Sequence, residues 1–160
     1  MLKRHFIFAV TVVAVLAGCA STSHPVSLAD TIAAQPQLTT LNGLIVKAGL
    51  TDTLKSAGPF TVFAPTNEAF AQVPANTMAA LASDPAKLKA VLTYHIIPGK
   101  VMSADIKNGN SKTVNGANLA LSRAGDFVTV EQALVQTPDI SASNGVVHLV
   151  DSVLLPPASR

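Results

Sequence analysis

The sequence predicts an α+β domain, because helical spacing dominates its first half and alternating strands dominate its second. Apolar residues recur at helical intervals as far as Tyr94, whereas the segments after Gly99 alternate β-branched and polar residues between short turns. Helices followed by strands, without βαβ alternation, are typical of a helical layer packed on an antiparallel sheet or sandwich.

The N-terminus has a different character from the rest of the chain. Two basic residues precede an apolar run from Phe6 to Leu16. A membrane-spanning helix needs about 20 apolar residues, so this shorter run predicts a secretory signal peptide over residues 1–18. The string Leu-Ala-Gly-Cys that ends at Cys19 is similar to the lipobox of bacterial lipoproteins. This resemblance implies that Cys19 is acylated; the alternative is an ordinary signal peptide that happens to contain a cysteine.

Acylation of Cys19 would join the protein to membrane lipid, and residues 19–26 would form the lipidated cysteine and a polar spacer. No aspartate follows the cysteine directly, and in Gram-negative lipoproteins that aspartate usually signals retention at the inner membrane. The resemblance therefore implies a lipid-anchored protein of the cell envelope, at the outer membrane, that faces the periplasm or the cell surface.

Charge and cysteine content exclude several classes of protein. Loss of Lys3 and Arg4 with the signal peptide removes the formal charge of +2 that the full chain carries, and no Lys/Arg cluster remains. This excludes the electrostatic footprint of a nucleic-acid-binding protein. Cys19 is the only cysteine, so the domain predicted over residues 27–157 has no disulfide and must rest on packing.

The helical first part of the chain has clear boundaries. Ser27 to Asp30 has the Ser-x-x-acid form of a helix start. Apolar residues then recur at helical spacing until Gly49, namely Leu38, Leu41, Leu44, Ile45 and Ala48. Helical spacing returns from Thr77 to Tyr94 and is interrupted at Asp84-Pro85, where proline suits a first helical position.

Residues 61–70, Thr-Val-Phe-Ala-Pro-Thr-Asn-Glu-Ala-Phe, predict a strand that Pro65 ends and a short helix that follows at once. Thr66 or Asn67 can cap the amides of that helix. A catalytic Thr66 would need a base within reach, and no histidine or lysine lies nearby in sequence. We therefore interpret the corner as a capped joint, with Phe63 and Phe70 buried in the same core.

Two histidines are candidates for chemistry. Tyr94 and His95 end a predicted helix, and His148 lies in a strand with aliphatic residues on both faces that follows an Asn144-Gly145 hairpin turn. Either histidine could serve as a general base or a metal ligand. We favour buried histidines bonded to the backbone, because no HExxH or Cys/His metal spacing is present.

The enzyme alternative pairs one of these histidines, His95 or His148, with Asp105 or Asp151. It requires a histidine in an open cleft beside a carboxylate. Both histidines buried and bonded to the backbone would argue against it.

Together and in this order, residues 61–70, the Tyr-His pair and residues 144–156 resemble the fasciclin domain family. The matching positions are Thr61, Phe63, Pro65, Thr66, Asn67, Phe70, Tyr94, His95, Asn144, Gly145 and His148. The resemblance covers residues 27–157. It implies a wedge-shaped antiparallel β-sandwich with a helical layer, in a family that is adhesive and non-enzymatic.

A second resemblance concerns Pro138, Asp139 and Ile140. These residues match part of an acidic-Pro-Asp-Ile-Met motif that is implicated in integrin-dependent adhesion by animal matrix members of the family, but Thr137 and Ser141 replace its outer residues. From the residues themselves, we expect Ile140 to enter the core and Asp139 to cap the turn that follows.

The leading hypothesis is a non-enzymatic envelope lipoprotein whose single fasciclin domain mediates cell adhesion or protein-protein interaction. Its expected partners are membrane lipid, through acylated Cys19, and an unidentified protein or surface; no nucleic acid, cofactor or metal is expected. The alternative is a periplasmic binding module for a small hydrophobic ligand or cell-wall glycan, which predicts a sizeable apolar pocket. The sequence leaves the oligomeric state open.

Overall fold

The computed structural model describes residues 26–157, so the predicted signal peptide and Cys19 lie outside the described residues. The helices are α1 (Leu28–Ala33), α2 (Thr39–Lys47), α3 (Thr51–Lys55), α4 (Asn67–Ala71), α5 (Ala75–Ser83) and α6 (Pro85–Tyr94), with 3₁₀ turns at Pro36–Leu38 and Ser103–Asp105. The strands are β1 (Phe60–Pro65), β2 (Ile96–Pro98), β3 (Gly109–Lys112), β4 (Asn118–Ala124), β5 (Phe127–Val130), β6 (Ala133–Ala142) and β7 (Gly145–Val150). None of the helices in this range is long and apolar enough to cross a membrane.

The predicted helix starts are confirmed by their capping bonds. The Ser27 hydroxyl accepts from the Asp30 amide at the start of α1. The Asp84 carboxylate accepts from the amides of Ala86 and Lys87, and Pro85 occupies the first position of α6. Each cap supplies an acceptor to amides that have no partner inside the helix, which fixes the boundary.

The seven strands form one continuous sheet in the order β2-β1-β7-β6-β5-β4-β3. The long strand β6 is shared: its first residues pair with β5, as in Ala133↔Val130, and its remainder pairs with β7. This arrangement confirms the predicted α+β class. One pair departs from the antiparallel pattern, because β1 runs parallel to β7. Parallel neighbours need a long crossover, and here all the intervening elements supply it.

Two apolar cores lie on opposite sides of β1. The first, which we call the helix-side core, packs α1, α2, α3 and α6 on the sheet and includes Val62, Ala64 and Phe70. The second, the inter-strand core, lies between the two halves of the sheet and includes Phe63 and Tyr94. The expectation that Phe63 and Phe70 share one core is therefore wrong. Phe63 points to the opposite face of β1 from Val62 and Ala64, because successive strand residues alternate, whereas Phe70 packs with those two residues.

Gly145 is required by a close backbone approach. The predicted hairpin between β6 and β7 is present, with Ser143 and Asn144 as its turn residues and Gly145 already in the strand, opposite Ala142. A Cβ atom on Gly145 would lie 2.0 Å from the Phe60 carbonyl oxygen and 2.9 Å from Leu28 Cδ1. The contact with backbone cannot be relieved by a rotamer change, so only glycine lets β7 start this close to β1.

We expect Gly145→Ala to destabilise the domain by at least about 2 kcal/mol, because overpacking against backbone forces the strands apart. Gly43→Ala is the matched control: Gly43 lies exposed in α2 with nothing within 4 Å of an added Cβ. That change should stabilise by about 0.5–1 kcal/mol, since alanine is the better helix former. Urea unfolding of both variants gives the comparison, and equal effects would contradict the close-approach argument.

Candidate functional site

The corner after β1 is a capped joint. The Thr66 hydroxyl accepts from the Ala69 amide at 3.3 Å, and the Thr66 amide donates to the Val150 carbonyl at 3.1 Å. Thr66 is buried, and Pro65 precedes it as the last residue of β1. With its oxygen committed to the helix start, Thr66 acts as the predicted cap.

Asn67 has a different role from the cap considered for it. Its side-chain oxygen accepts from the Thr40 amide at 3.0 Å and the Thr39 hydroxyl at 3.1 Å, and its side-chain nitrogen donates to the Pro36 carbonyl at 3.0 Å. All three partners lie at the junction of the first 3₁₀ turn and α2. Asn67 therefore ties the end of β1 to the helical layer, as a clasp between segments distant in sequence.

Asn144 makes a second clasp. Its side-chain oxygen accepts from the Leu28 amide at 2.8 Å, and its nitrogen donates to the carbonyls of Leu54 and Ser56, both at 2.8 Å. Its backbone carbonyl also accepts from the Phe60 amide at 3.1 Å. One residue thus joins the start of α1, the end of α3 and the start of β1 to the β6-β7 turn.

Thr61, the second residue of β1, is wholly buried. Its hydroxyl donates to the Gly99 carbonyl at 2.7 Å and accepts from the Val101 amide at 2.8 Å. These two bonds fix the segment that follows β2.

His95 is buried with both ring nitrogens bonded to the backbone. Its Nδ1–H donates to the Val91 carbonyl at 2.8 Å, and its Nε2 accepts from the Leu154 amide at 3.0 Å. Burial lowers the pKa of His95 to about 4, although the bond to Val91 acts to raise it. The neutral ring therefore fastens the segment after β7 to α6.

His148 is also buried, in the opposite tautomer. Its Nδ1 accepts from the Asp139 amide at 3.1 Å, its Nε2–H donates to the Val101 carbonyl at 2.9 Å, and its ring stacks on Phe63 with centroids 5.5 Å apart. Burial lowers the pKa of His148, against the bond to Val101 and the charge of Asp139. Both histidines are buried and bonded to the backbone, so neither lies in the open cleft that the enzyme alternative requires.

The aspartates of that alternative are placed elsewhere. Asp151 accepts from the Leu134 amide at 2.9 Å, which anchors β6 beside the end of β7. Asp105 lies exposed in the second 3₁₀ turn. Within residues 26–157, no group of three His, Cys, Asp or Glu side chains could hold a metal ion.

Tyr94 is wholly buried, with its hydroxyl between two acceptors. The hydroxyl oxygen lies 3.1 Å from the Asn118 carbonyl and 2.5 Å from a carboxylate oxygen of Glu131. Burial, together with the bond to Glu131 and its negative charge, raises the pKa of Tyr94 above its usual value. Tyr94 thus connects the end of α6 to β4 and to the β5-β6 turn.

The Pro138–Ile140 segment lies in an irregular part of β6. Pro138 is exposed, while Ile140 is half-buried and packs on the helix-side core as expected. Asp139 does not cap the following turn: its carboxylate accepts from the amide and the hydroxyl of Ser103, across to the second 3₁₀ turn. Burial acts to raise the pKa of Asp139, but the Ser103 bonds, together with the charges of His148 and Arg123, lower that pKa overall.

Cavities among residues 26–157 are small or open. The space enclosed by the helix-side core around Leu41 and Ile45 is about 10 Å³, about the room of one water. An open groove of about 520 Å³ runs between α6 and the C-terminal segment, with Leu81, Val91 and Leu155 in its walls. The groove has the size and the apolar walls that the ligand-binding alternative predicts, but it is open to solvent.

Sequence patterns missed the role of Glu131, the actual partner of Asp139 and the exposure of Phe127. Glu131 and Asp139 both have left-handed backbones, with φ of 55° and 60°, and both hold polar atoms of distant segments. Phe127 is 68% exposed at the start of β5, beside the Gly125–Asp126 turn. A phenylalanine in a strand pattern signals burial, so its exposure could be found only from the structure.

The comparisons with known proteins agree with this architecture. The Fasciclin domain model matches residues 36–156, so the chain belongs to the fasciclin domain family. Protein sll1483 of Synechocystis is 39% identical over 140 residues, which cover 86% of this chain and 78% of that protein.

Two further matches extend the comparison. The "Cell surface glycolipoprotein MPB83" of Mycobacterium bovis is 38% identical over 128 residues, covering 77% of this chain and 57% of that protein. The solved structure of a FAS1 domain pair from the insect cell adhesion molecule Fasciclin I superposes with a TM-score of 0.65 at 16% identity, over 81% of this chain and 51% of that chain. The structural likeness shows the shared fold.

We expect Asn144→Ala to destabilise the domain by about 3 kcal/mol, because three side-chain hydrogen bonds are lost, two of them to partly buried backbone groups. Asn115→Ala, at an exposed turn, should change the free energy of unfolding by less than about 0.5 kcal/mol. Urea unfolding monitored by circular dichroism compares the two. A near-zero effect at Asn144 would show that the clasp is dispensable.

We expect stability to fall between pH 6.5 and 4. The folded-state pKa of His95, about 4, lies below the ordinary 6.5, so its contribution is complete above pH 6.5 and is lost as pH falls toward 4. The loss amounts to about 3 kcal/mol from this residue. Urea unfolding across this window tests it; His148, whose pKa burial also lowers, adds to the loss, whereas the aspartates with lowered pKa act only at lower pH. A free energy of unfolding that is constant from pH 7 to 4 would refute the prediction.

Proposed function

We propose that this protein is a non-enzymatic lipoprotein of the cell envelope whose fasciclin domain makes adhesive or protein-protein contacts. Members of this family are generally non-enzymatic, and the insect protein with the same fold, Fasciclin I, is described as a cell adhesion molecule. The side chains that could do chemistry support this proposal, since Thr66, His95 and His148 are all committed to backbone groups.

The anchor is the second part of the proposal. The short apolar run and the Leu-Ala-Gly-Cys string support acylation of Cys19. A relative at 38% identity bears the name of a cell surface glycolipoprotein. We propose attachment to the outer membrane through acylated Cys19, with the domain facing outward.

The observation that carries a contact site is the exposure of Phe127. Among large apolar side chains of residues 26–157 it is the most exposed, at 68%, and it is the only aromatic ring in that group. Arg123 stiffens the same hairpin, because its guanidinium donates to the carbonyls of Gly125 and Ala104 at 2.9 and 2.6 Å. A ring held on a rigid turn suits an anchor for a partner protein.

A second candidate function, binding of a small hydrophobic ligand, is favoured only by the open groove. Its apolar walls at Leu81, Val91 and Leu155 offer contact area, but the groove does not enclose a ligand. Chemical-shift changes at Leu81 and Val91 on addition of a hydrophobic ligand would support this function over adhesion.

Protease treatment of intact cells tests the location. We expect external protease to remove the wild-type domain, and we expect Cys19→Ala to release the protein from the membrane fraction. Cleavage only after the outer membrane is opened would exclude surface adhesion. Continued membrane attachment of Cys19→Ala would exclude the lipid anchor.

Substitution of the exposed ring tests the contact site. We expect Phe127→Ser to weaken attachment between cells that produce the protein at least about tenfold, as for loss of an aromatic hot spot. Val46→Ser is the matched control, because Val46 is 62% exposed on α2, in the helical layer. Cell aggregation and the amount of surface protein are measured together. Equal loss of aggregation in both variants would remove Phe127 from the proposal.

A further inference from the structure

His148 stands where three segments meet. Its ring accepts a hydrogen bond from the Asp139 amide of β6, donates one to the Val101 carbonyl after β2, and stacks on Phe63 of β1. The side chain is wholly buried. The ring is therefore a central element to which two irregular segments are attached.

The two hydrogen bonds require one protonation state. Nδ1 must carry a lone pair to accept the Asp139 N–H, while Nε2 must carry the proton that goes to Val101. An imidazolium ion has a proton on both nitrogens. Protonation would thus set two N–H groups against each other between His148 and Asp139, and the ring can take up a proton only if this contact parts.

In the contact between His148 and Asp139, the backbone of Asp139 is the part that can move. Its backbone is left-handed, with φ of 60°, and the β6-β7 register shifts between Thr137 and Ile140, so the strand ladder is interrupted here. Residues in that conformation persist only when their surroundings hold them. The surroundings here are the His148 ring and the bonds from Ser103 to the Asp139 carboxylate.

We propose that His148 is a pH-sensitive latch on the β6 bulge, closed while the ring is neutral and opened when the ring is protonated. Opening separates Asp139 from His148 and releases Ser103 from the Asp139 carboxylate, while the Nε2–H bond to Val101 is kept and β1 and β7 stay paired. Ile140, which packs on the helix-side core in the closed state, then turns toward solvent. This inference concerns a conformational change and does not depend on the adhesive role.

The charges around the ring act in both directions. The Asp139 carboxylate favours the protonated ring, whereas burial opposes it and prevails, which lowers the pKa of His148. Arg123, on β4, acts on the Asp139 carboxylate, and Phe63 on β1 brings no charge. Lys100 and Asp105 flank the Val101–Ser103 segment as exposed side chains. Because the open state restores an ordinary histidine, its population should rise up to about tenfold per pH unit below 6.5.

Hydrogen exchange on the purified full chain tests the latch. Protection factors of the Asp139 and Ser103 amides are measured from pH 7.5 to 4.5, with the ring ¹⁵N shifts of His148 in the same samples. We expect both protection factors to fall by more than tenfold as the pH drops, while the amides of Val147 and Leu149 stay protected. Protection at Asp139 that is independent of pH, or that is lost only together with Val147, would overturn the proposal.

Two variants separate the latch from general acid sensitivity. His148→Asn keeps an acceptor oxygen near the position of Nδ1 and cannot titrate, so protection at Asp139 should no longer depend on pH. His95→Gln is the matched control, since His95 bonds Leu154 and not Asp139, and should leave that dependence unchanged. Persistence of the pH dependence in His148→Asn would overturn the proposal. If that variant does not fold, the wild type decides: the His148 ring must titrate in step with the loss of protection at Asp139.

Discussion

The carboxamide of Asn144 carries three hydrogen bonds that hold the helical layer to the sheet. At about 1 kcal/mol for each bond, this single side chain contributes a large share of the 5–15 kcal/mol that stabilises an ordinary domain. Its geometry also depends on Gly145, which lets the turn approach Phe60 closely enough for the Asn144 carbonyl to accept from the Phe60 amide. The Asn144 side chain is thus one of two clasps between the helical layer and the sheet, and Asn67 is the other.

Strand β6 sets the second constraint, because it belongs to both halves of the sheet. It pairs with β5 at its start and with β7 along the rest, and its pairing with β7 shifts register twice. Bulges increase local twist, which suits a strand that passes from one half to the other around the inter-strand core. The same irregularity leaves the Asp139 amide free to bond His148, so the bend of the sheet and the latch have one structural origin.

The polar side chains inside the domain serve the backbone. Among the described residues, every buried side-chain nitrogen or oxygen has a hydrogen-bond partner. For Thr61, Thr66, His95 and His148 these partners are backbone groups of loops, helix ends and bulges. Such groups are costly to leave unpaired, so these residues secure irregular segments that no strand ladder or helix could satisfy. The adhesive contact that we propose therefore falls to the surface, where Phe127 is exposed.

By itself the sequence determined the α+β class, the helix starts at Ser27 and Asp84, and the β6-β7 hairpin, because caps, prolines and hydrophobic period are local signals. It also indicated the buried histidines, whose aliphatic neighbours could be read directly. Only the tertiary structure decided that β1 runs parallel to β7 and that Phe63 and Phe70 enter different cores. It likewise decided the roles of Asn67 and Asn144, since their partners lie 27 to 116 residues away in sequence. A local sequence pattern indicates which hydrogen bonds a residue can make, and only the folded chain brings the bonding partner within reach.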